Sequence, residues 1–200
     1  MKRSGRPRKE DDNGSRNKLI NAAARLIANE GIDSLTVRSV CNEAGLSVGT
    51  FYYFFEDKND LMMSFIGGMS FSDAELTAPL RDIAGRITEL YMLLIRRYMN
   101  FGRDFVRSFY TPSNKILSAY MGKHNGRFAP GTIMERSEQE LNNALSEGII
   151  TLPEGRTTHR LAANICSIVK GCVFEWCADE TVELEDITKE IIRDYLFRYV

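Results

Sequence analysis

The hydrophobic residues of this chain recur with the period of an α-helix over most of its length. Residues 19–27 carry apolar side chains at the spacing i, i+3, i+4, i+7, i+8. This spacing places them on one face of a helix that has Ser15 as its N-cap and ends at Gly31. No segment of useful length alternates with the period of two that marks a half-buried strand. The pattern therefore predicts an all-α fold.

Two shorter helices are predicted after the first one. Thr36 is suited to cap a helix that ends at Gly45, and Ser47 is suited to cap a third helix from Val48 to Phe54. A short turn that contains glycine separates these two helices, which is the arrangement of a helix-turn-helix. In this motif the second helix enters the major groove of DNA. The pattern therefore favours DNA binding for this part of the chain.

Cap residues and apolar stripes predict the remaining helices. The sequence Asp57-Lys58-Asn59-Asp60 has the form of a capping box that opens a fourth helix, and Gly67-Gly68 weakens that helix near its end. Further helical periods cover residues 83–98, 104–110, 113–123, 133–145, 157–177 and 184–199.

These helices divide the chain into an arm and two domains. Residues 1–14 are expected to form a basic, flexible arm, and residues 15–61 a three-helix DNA-binding domain. A linking helix at about 58–72 is expected to lead into a larger helical domain over residues 73–200.

Composition narrows the class of protein further. The 200 residues are 44% hydrophobic and 26% charged, as in ordinary globular chains. No apolar run approaches the roughly 20 residues that cross a bilayer, and no hydrophobic segment follows the basic N-terminus as in a secretory signal. The four cysteines form no C-x-x-C pair, and neither histidine lies at ligand spacing to them. We therefore expect a reduced, cytoplasmic protein with no membrane association, no metal and no cofactor.

Sequence motifs of enzymes are also missing. The chain has no phosphate-binding glycine loop, no H-E-x-x-H and no G-x-S-x-G. We therefore expect no catalytic residues.

The short third helix offers side chains that can read DNA. Its first residues are Val48, Gly49 and Thr50, and Thr50 can hydrogen-bond a base edge or touch a thymine methyl group. Two tyrosines in the same helix can donate their hydroxyls to phosphates. The predicted DNA-binding residues are Thr36, Arg38, Ser47, Val48, Gly49, Thr50, Tyr52, Tyr53 and Lys58.

This segment resembles the DNA-binding domain of TetR-family transcriptional regulators. Residues 44–61 fit the pattern A-G-x-S-x-G-T-x-Y-x-x-F-x-x-K-x-x-L without a gap, and Thr36-Val37-Arg38 precedes them. Three positions depart from the family: Phe54 replaces a frequent polar residue that contacts phosphate, Glu56 replaces a frequent proline, and Cys41 replaces a small alanine. We therefore assign no DNA contact to Phe54.

The resemblance implies a homodimer that binds a palindromic operator in double-stranded DNA. The sequence is consistent with this, because residues 161–174 contain Lys170 as their only charged residue and the last helix carries two apolar stripes. Two helices from each protomer would form a four-helix interface, and a large monomeric core is the alternative. The predicted interface residues are Ile165, Ile168, Val169, Cys172, Val173, Ile191 and Tyr195.

The net charge of −1 hides a segregated distribution. Residues 1–9 carry five positive and no negative charges. Their Gly-Arg-Pro sequence resembles an AT-hook core, which lies in a narrow minor groove, and a solvated basic tail is the alternative. The candidate arm residues are Arg3, Arg6, Pro7, Arg8 and Lys9.

An aromatic segment supplies candidates for an effector pocket, which the resemblance places in the C-terminal domain. Residues 91–128 hold 8 of the 20 aromatic residues, and seven of their eight charged residues are positive. The effector is therefore expected to be amphipathic or aromatic, with an anionic group met by one of Arg96, Arg97, Arg103 or Arg107. The alternative is that most of these arginines are solvated or paired with the acidic C-terminal segment. The candidate pocket residues are Phe65, Met69, Tyr91, Met92, Tyr98, Phe101, Phe105, Phe109, Tyr120 and Trp176.

Together these features predict a ligand-responsive repressor that an effector releases from its operator. Such a protein would be associated with the nucleoid when it binds DNA. The alternative is a DNA-bound interaction or architectural protein of the same fold, whose C-terminal surface recruits another protein instead of a small ligand.

Overall fold

The computed structural model describes residues 9–66, 70–109 and 126–200, and these residues form helices and connecting loops without a β-strand. The predicted all-α class is therefore confirmed. Contacts divide the chain into two compact units, Met1–Gly68 and Met69–Val200. The division falls slightly before residue 73, where the sequence places the start of the second domain.

The described residues of the first unit form four helices and one turn of 3₁₀ helix. Their bounds are α1 Lys9–Glu30, 3₁₀ Ile32–Ser34, α2 Val37–Ala44, α3 Val48–Phe54 and α4 Lys58–Ile66. Helix α1 packs against each of the other three, and α2 packs against α3. The core contains Leu19, Ala22, Ala23, Leu26, Leu35, Val40, Cys41, Phe51, Phe55 and Leu61.

Two boundaries differ from the sequence prediction. Helix α1 begins at Lys9, so Ser15 lies inside it instead of capping it, and the N-terminal arm is shorter than residues 1–14. The apolar period begins only at Leu19 because the first turns of a helix need no buried face. Residues 70–72 are not helical, so the linking helix does not reach residue 72. There the amide of Phe71 donates to the carbonyl of Gly131 at 2.9 Å.

The second unit contains five described helices. They are α5 Ile83–Phe101, α6 Arg103–Phe109, α7 Ile133–Ser146, α8 Thr158–Ala178 and α9 Leu184–Phe197. Helix α5 packs against α7 and α9, and α8 packs against α6, α7 and α9. These helices agree with the predicted periods to within three residues, and the predicted helix at 113–123 lies outside the described residues.

Helix α8 has the length and mean hydropathy of a membrane span, but it packs as a core helix. Its most apolar window has a mean hydropathy of 1.3, and 50% of that window is buried within the chain. Residues such as Leu161, Ile165 and Val173 face the interior between its neighbours. The buried face accounts for the apolar composition.

A buried carboxylate joins two helices of the second unit. Glu140 in α7 has only 2% of its side chain exposed. It accepts from Nε of Arg86 in α5 at 2.7 Å and pairs with Nη2 of Arg136 at 2.9 Å. Arg86 also donates to the carbonyl of Ala78 at 2.7 Å, so the pair holds the segment before α5 as well.

Candidate functional site

The start of helix α2 is fixed by a reciprocal cap. The amide of Ser39 donates to Oγ1 of Thr36 at 3.0 Å, and the amide of Thr36 donates to Oγ of Ser39 at 2.9 Å. Each side chain thus satisfies a backbone amide at the helix end, as in a capping box. Arg38 extends from the same turn into solvent and makes no ion pair within the described residues.

The turn between α2 and α3 depends on a glycine with positive φ. Gly45 has φ 63° and ψ 35°, the left-handed conformation that ends many helices. The amide of Leu46 then returns to the carbonyl of Cys41 at 2.9 Å. The N-cap of α3, Ser47, lies two residues after Gly45, as the sequence predicts.

Ser47 caps α3 and is linked to Thr50. The amide of Thr50 donates to Oγ of Ser47 at 3.0 Å, and the two hydroxyls share a hydrogen bond of 2.9 Å. The sequence pattern does not predict this link between the hydroxyls. By these bonds the Ser47 hydroxyl keeps one further hydrogen-bonding position and the Thr50 hydroxyl keeps two, so both can still bind another polar group.

The outer face of α3 is apolar and aromatic, and it is exposed. Val48 is 43% exposed, Tyr52 57% and Tyr53 68%. On the opposite face Phe51 and Phe55 are buried, with their ring centroids 5.5 Å apart. Helix α3 is thus held by its inner face while its outer face is exposed to solvent.

Gly49 is exposed, and the fold does not require a glycine there. Its φ is not positive, and a Cβ added to it would meet only Oγ of Ser47 at 3.6 Å, an ordinary contact. A glycine inside a helix lowers stability by about 1 kcal/mol relative to alanine. A surface that approaches the backbone closely would explain the glycine at this position.

The start of α4 is capped as the sequence predicts. The amides of Asn59 and Asp60 donate to Oδ1 of Asp57 at 2.7 and 2.9 Å, and the amide of Glu56 donates to Oδ2 of Asp60 at 3.0 Å. Lys58 is exposed in the first turn of this helix. Of the arm candidates, Arg3, Arg6, Pro7, Arg8 and the side chain of Lys9 lie outside the described residues.

The candidate pocket residues are mostly core residues. Phe101 is half-buried and stacks on Phe105 with ring centroids 4.7 Å apart. Met69, Tyr120 and the side chain of Phe109 lie outside the described residues. The other candidates are buried, namely Phe65 in the first unit and Tyr91, Met92, Tyr98, Phe105 and Trp176 in the second.

Two of the candidate arginines hold the end of helix α8. Arg103 stacks over the ring of Trp176 at 4.7 Å and donates to the carbonyls of Trp176 and of residues 179, 180 and 182. Arg107 donates to the carbonyl of Cys177 at 2.6 Å. A helix leaves its last carbonyls without partners, and these guanidinium groups satisfy them. These contacts, and the pairing of Arg96 with Glu185 at 3.2 Å, support the alternative in which these arginines are paired with the C-terminal segment.

Four of the predicted interface residues belong to the core of the protomer. Ile165, Val169, Cys172 and Val173 are each 3% exposed or less, so they have no surface to offer a second copy. Phe174, in contrast, is 66% exposed. The apolar or small residues of α8 and α9 that remain at the surface include Ile168, Gly171, Phe174, Ile187, Ile191, Tyr195 and Phe197.

A shallow groove lies at the start of α8, away from the candidate pocket residues. Its empty volume is about 170 Å³, including open solvent, and the hydroxyl of Tyr195 accepts from Asn164 there at 2.9 Å. The lining residues are Leu152, Arg156, Thr157, Arg160, Leu161, Asn164, Tyr195 and Tyr199.

Comparison with known sequences identifies the first unit. Residues 19–64 match the family described as bacterial regulatory proteins, tetR family. A 74-residue stretch is 31% identical to the uncharacterized HTH-type transcriptional regulator YvdT of Bacillus subtilis (strain 168), over 37% of this chain and 35% of that protein. The HTH-type nicotine-responsive transcriptional repressor HdnoR of Paenarthrobacter nicotinovorans is 23% identical over 92% of this chain and 94% of that protein.

The whole chain is also similar to solved structures. The SmeT–triclosan complex superposes with a TM-score of 0.57 at 19% identity, covering 94% of this chain and 92% of that chain. The similarity thus includes the helical second unit as well as the helix-turn-helix. With its capped helix-turn-helix and its match over residues 19–64, the first unit carries the N-terminal domain of the tetR family of bacterial regulatory proteins, and the whole chain shares the fold of the SmeT structure.

Proposed function

We propose that this chain is a cytoplasmic, homodimeric repressor that binds a palindromic operator and is released by a small amphipathic or aromatic effector. The observation that carries the proposal is the exposed outer face of α3, which the caps at Ser47 and the turn at Gly45 fix in place. A short reading helix gains affinity when a twofold axis presents two copies to successive major grooves.

DNA contacts would come from the residues that the sequence singles out. Thr50 and Val48 would meet base edges, while Tyr52, Tyr53 and Lys58 would contact phosphates. Thr36 and Arg38 would add phosphate contacts from the start of α2. Their exposure or position at helix starts supports these roles.

The dimer interface would use the exposed apolar face of α8 and α9. Ile168, Gly171 and Phe174 lie one turn apart on α8, and Ile187 and Ile191 lie one turn apart on α9. Burying this face against a second copy would remove its apolar area from water. This set excludes Ile165, Val169, Cys172 and Val173, which are buried in the core of the protomer.

The names of two relatives support a small-molecule effector. HdnoR is named as nicotine-responsive, and SmeT has been solved with triclosan. Both ligands contain aromatic rings, and the buried aromatic residues of the second unit would suit such a molecule. The architectural alternative, in which a protein partner replaces the effector, is favoured by no particular feature of the described residues.

Selection from random duplexes with the purified chain tests the proposal. We expect enrichment of an inverted repeat whose half-sites lie about one helical turn apart, or a multiple of it. An enriched site without twofold symmetry would contradict the proposal that a symmetric dimer binds the DNA. No enrichment at all would contradict the proposal that the chain is a sequence-specific DNA-binding regulator.

Gly49→Ala is expected to weaken DNA binding without harming the fold. Within the protomer the added methyl group makes only an ordinary contact with Oγ of Ser47, and the helix gains up to about 1 kcal/mol in stability. In the complex the methyl group would hold the backbone of α3 away from the DNA, so we expect the affinity for the selected operator to fall about 10-fold to 100-fold. Fluorescence anisotropy with labelled duplex measures the change.

Gly14→Ala is the matched control. Gly14 also lies inside an exposed stretch of helix, and a Cβ added there meets nothing within 4 Å. It should raise stability by a similar amount and leave operator affinity unchanged. Equal affinity in the Gly49 variant and the control would remove Gly49 from the proposed interface.

A further inference from the structure

Helix α3 carries no side chain that could identify a base by charge or by an amide group. Between Gly45 and Glu56 every residue is serine, threonine, glycine, or an apolar or aromatic residue. The side chains that discriminate bases most sharply are arginine and lysine on guanine, asparagine and glutamine on adenine, and a carboxylate on cytosine. Helix α3 has none of them, so any sequence that it selects must be recognised in another way.

The cationic and amide side chains on either side of α3 belong to the neighbouring helices. Among them, Arg38 and Asn42 lie on α2 and Lys58 begins α4, and all three are exposed. In a helix-turn-helix the first helix crosses the phosphate backbone while the second enters the groove. Contacts with phosphate fix the position of the protein on the duplex but carry no sequence information directly. The choice of bases therefore falls to α3.

The first turn of α3 offers methyl groups to the groove. Val48 is exposed, and Gly49 adds no side chain beside it. The hydroxyls of Ser47 and Thr50 share a hydrogen bond of 2.9 Å, which restricts rotation about the Cα–Cβ bond of Thr50 and thereby also orients the methyl group on the same Cβ. A hydroxyl can donate or accept, so the Thr50 hydroxyl distinguishes bases poorly. The apolar groups are what remains for discrimination.

We propose that α3 recognises its operator through the 5-methyl groups of thymines, which Val48 and the methyl group of Thr50 contact in the major groove. This inference rests on the proposed DNA-binding function and specifies the kind of sequence that is bound. Among the four bases only thymine presents a methyl group in the major groove, so an apolar contact there separates T·A from the other base pairs. Each half-site is expected to contain at least one thymine that no other base replaces without loss of affinity.

Deoxyuridine tests this proposal on the DNA, because uracil pairs as thymine does and lacks only the methyl group. Each thymine of the operator obtained by selection is replaced in turn by deoxyuridine, at the symmetry-related positions of both half-sites. We expect the affinity to fall about 5-fold to 50-fold at the contacted thymine and less than about twofold elsewhere. Fluorescence anisotropy with labelled duplex measures these affinities.

5-Methylcytosine provides the reverse test at the same position. A C·G pair in place of the contacted T·A pair should weaken binding, because cytosine lacks the methyl group. A 5-methylcytosine·G pair should recover part of this loss, because it returns a methyl group to the same place in the groove.

Two variants connect the methyl effect to α3. Val48→Ala and Thr50→Ser remove methyl groups from the start of the helix, and serine keeps the hydroxyl that bonds Ser47. At the thymine that the changed residue contacts, thymine and uracil duplexes should then bind within about twofold of each other. Lys58→Ala is the matched control, because loss of a phosphate contact should weaken binding to both duplexes by the same factor. The Tm of each variant without DNA shows whether its fold is retained.

Three outcomes would overturn the proposal. They are an operator whose affinity is unchanged by uracil at every thymine, a uracil effect that persists in full in both Val48→Ala and Thr50→Ser, and a uracil effect that Lys58→Ala also removes. An enriched operator that is indifferent to uracil would reject the methyl contacts and leave the regulator proposal intact. If no duplex is enriched, both proposals are rejected.

Discussion

Phe174→Glu is expected to separate the proposed dimer into folded monomers. The side chain is 66% exposed in the protomer, so the substitution leaves the core of α8 intact. A phenylalanine that becomes fully buried contributes about 1.5–3 kcal/mol, and a twofold interface contains it twice. We therefore expect the dissociation constant of the dimer to rise about 100-fold to 10,000-fold, and operator affinity to fall with it. Sedimentation equilibrium and operator titration measure the two quantities.

Leu145→Glu supplies the control for this experiment. Leu145 is an exposed apolar residue of α7, outside the proposed interface, and the substitution introduces the same charge. It should leave both the dimer and operator binding unchanged. A dimer that survives Phe174→Glu with its affinity intact would place the interface elsewhere on the chain.

Glu140→Gln is expected to destabilise the second unit more than any surface substitution. The carboxylate is 2% exposed and lies 2.7 Å from Arg86 and 2.9 Å from Arg136. Glutamine has nearly the same shape, but it leaves two guanidinium groups without their buried counter-charge. Breaking a buried ion pair from one side costs about 3–5 kcal/mol. We expect the Tm to fall by about 10 °C.

Glu43→Gln tests whether burial is the reason for the large loss of stability that we expect from Glu140→Gln. Glu43 pairs with Arg25 at the same 2.7 Å, but both side chains of this pair are about half exposed. Exposed pairs contribute at most about 1 kcal/mol, so this variant should unfold within a few degrees of the native chain. A similar fall in Tm in the two variants would mean that the burial of Glu140 does not increase the contribution of its ion pairs to stability.

Local chemistry explains why the helix-turn-helix could be predicted closely. Thr36, Ser47 and Asp57 act on amides three residues away or less, and Gly45 determines its own backbone conformation. Such features depend only on residues within a few positions of one another in the sequence. The early start of α1 was missed because its first turns carry no apolar stripe.

The second unit shows where periodicity stops being informative. Helix α8 has apolar residues on more than one side, so the pattern could not tell Val173, which faces the core, from Phe174, which faces solvent. The sequence pattern also does not indicate hydrogen-bond partners that are distant along the chain. Arg103 binds carbonyls more than 70 residues away, and Arg86 meets Glu140 across 54 residues. Only packing reveals such partners, because no neighbouring residue encodes them.

The four buried cysteines allow local unfolding of the chain to be measured without added labels. Burial raises the pKa of each thiol, so an alkylating reagent reacts with them only when the surrounding structure opens. Cys41 lies in the first unit, whereas Cys166, Cys172 and Cys177 lie in the second. Pulsed alkylation followed by peptide mass spectrometry would therefore give separate opening free energies for the two units of the unmodified chain, with and without DNA.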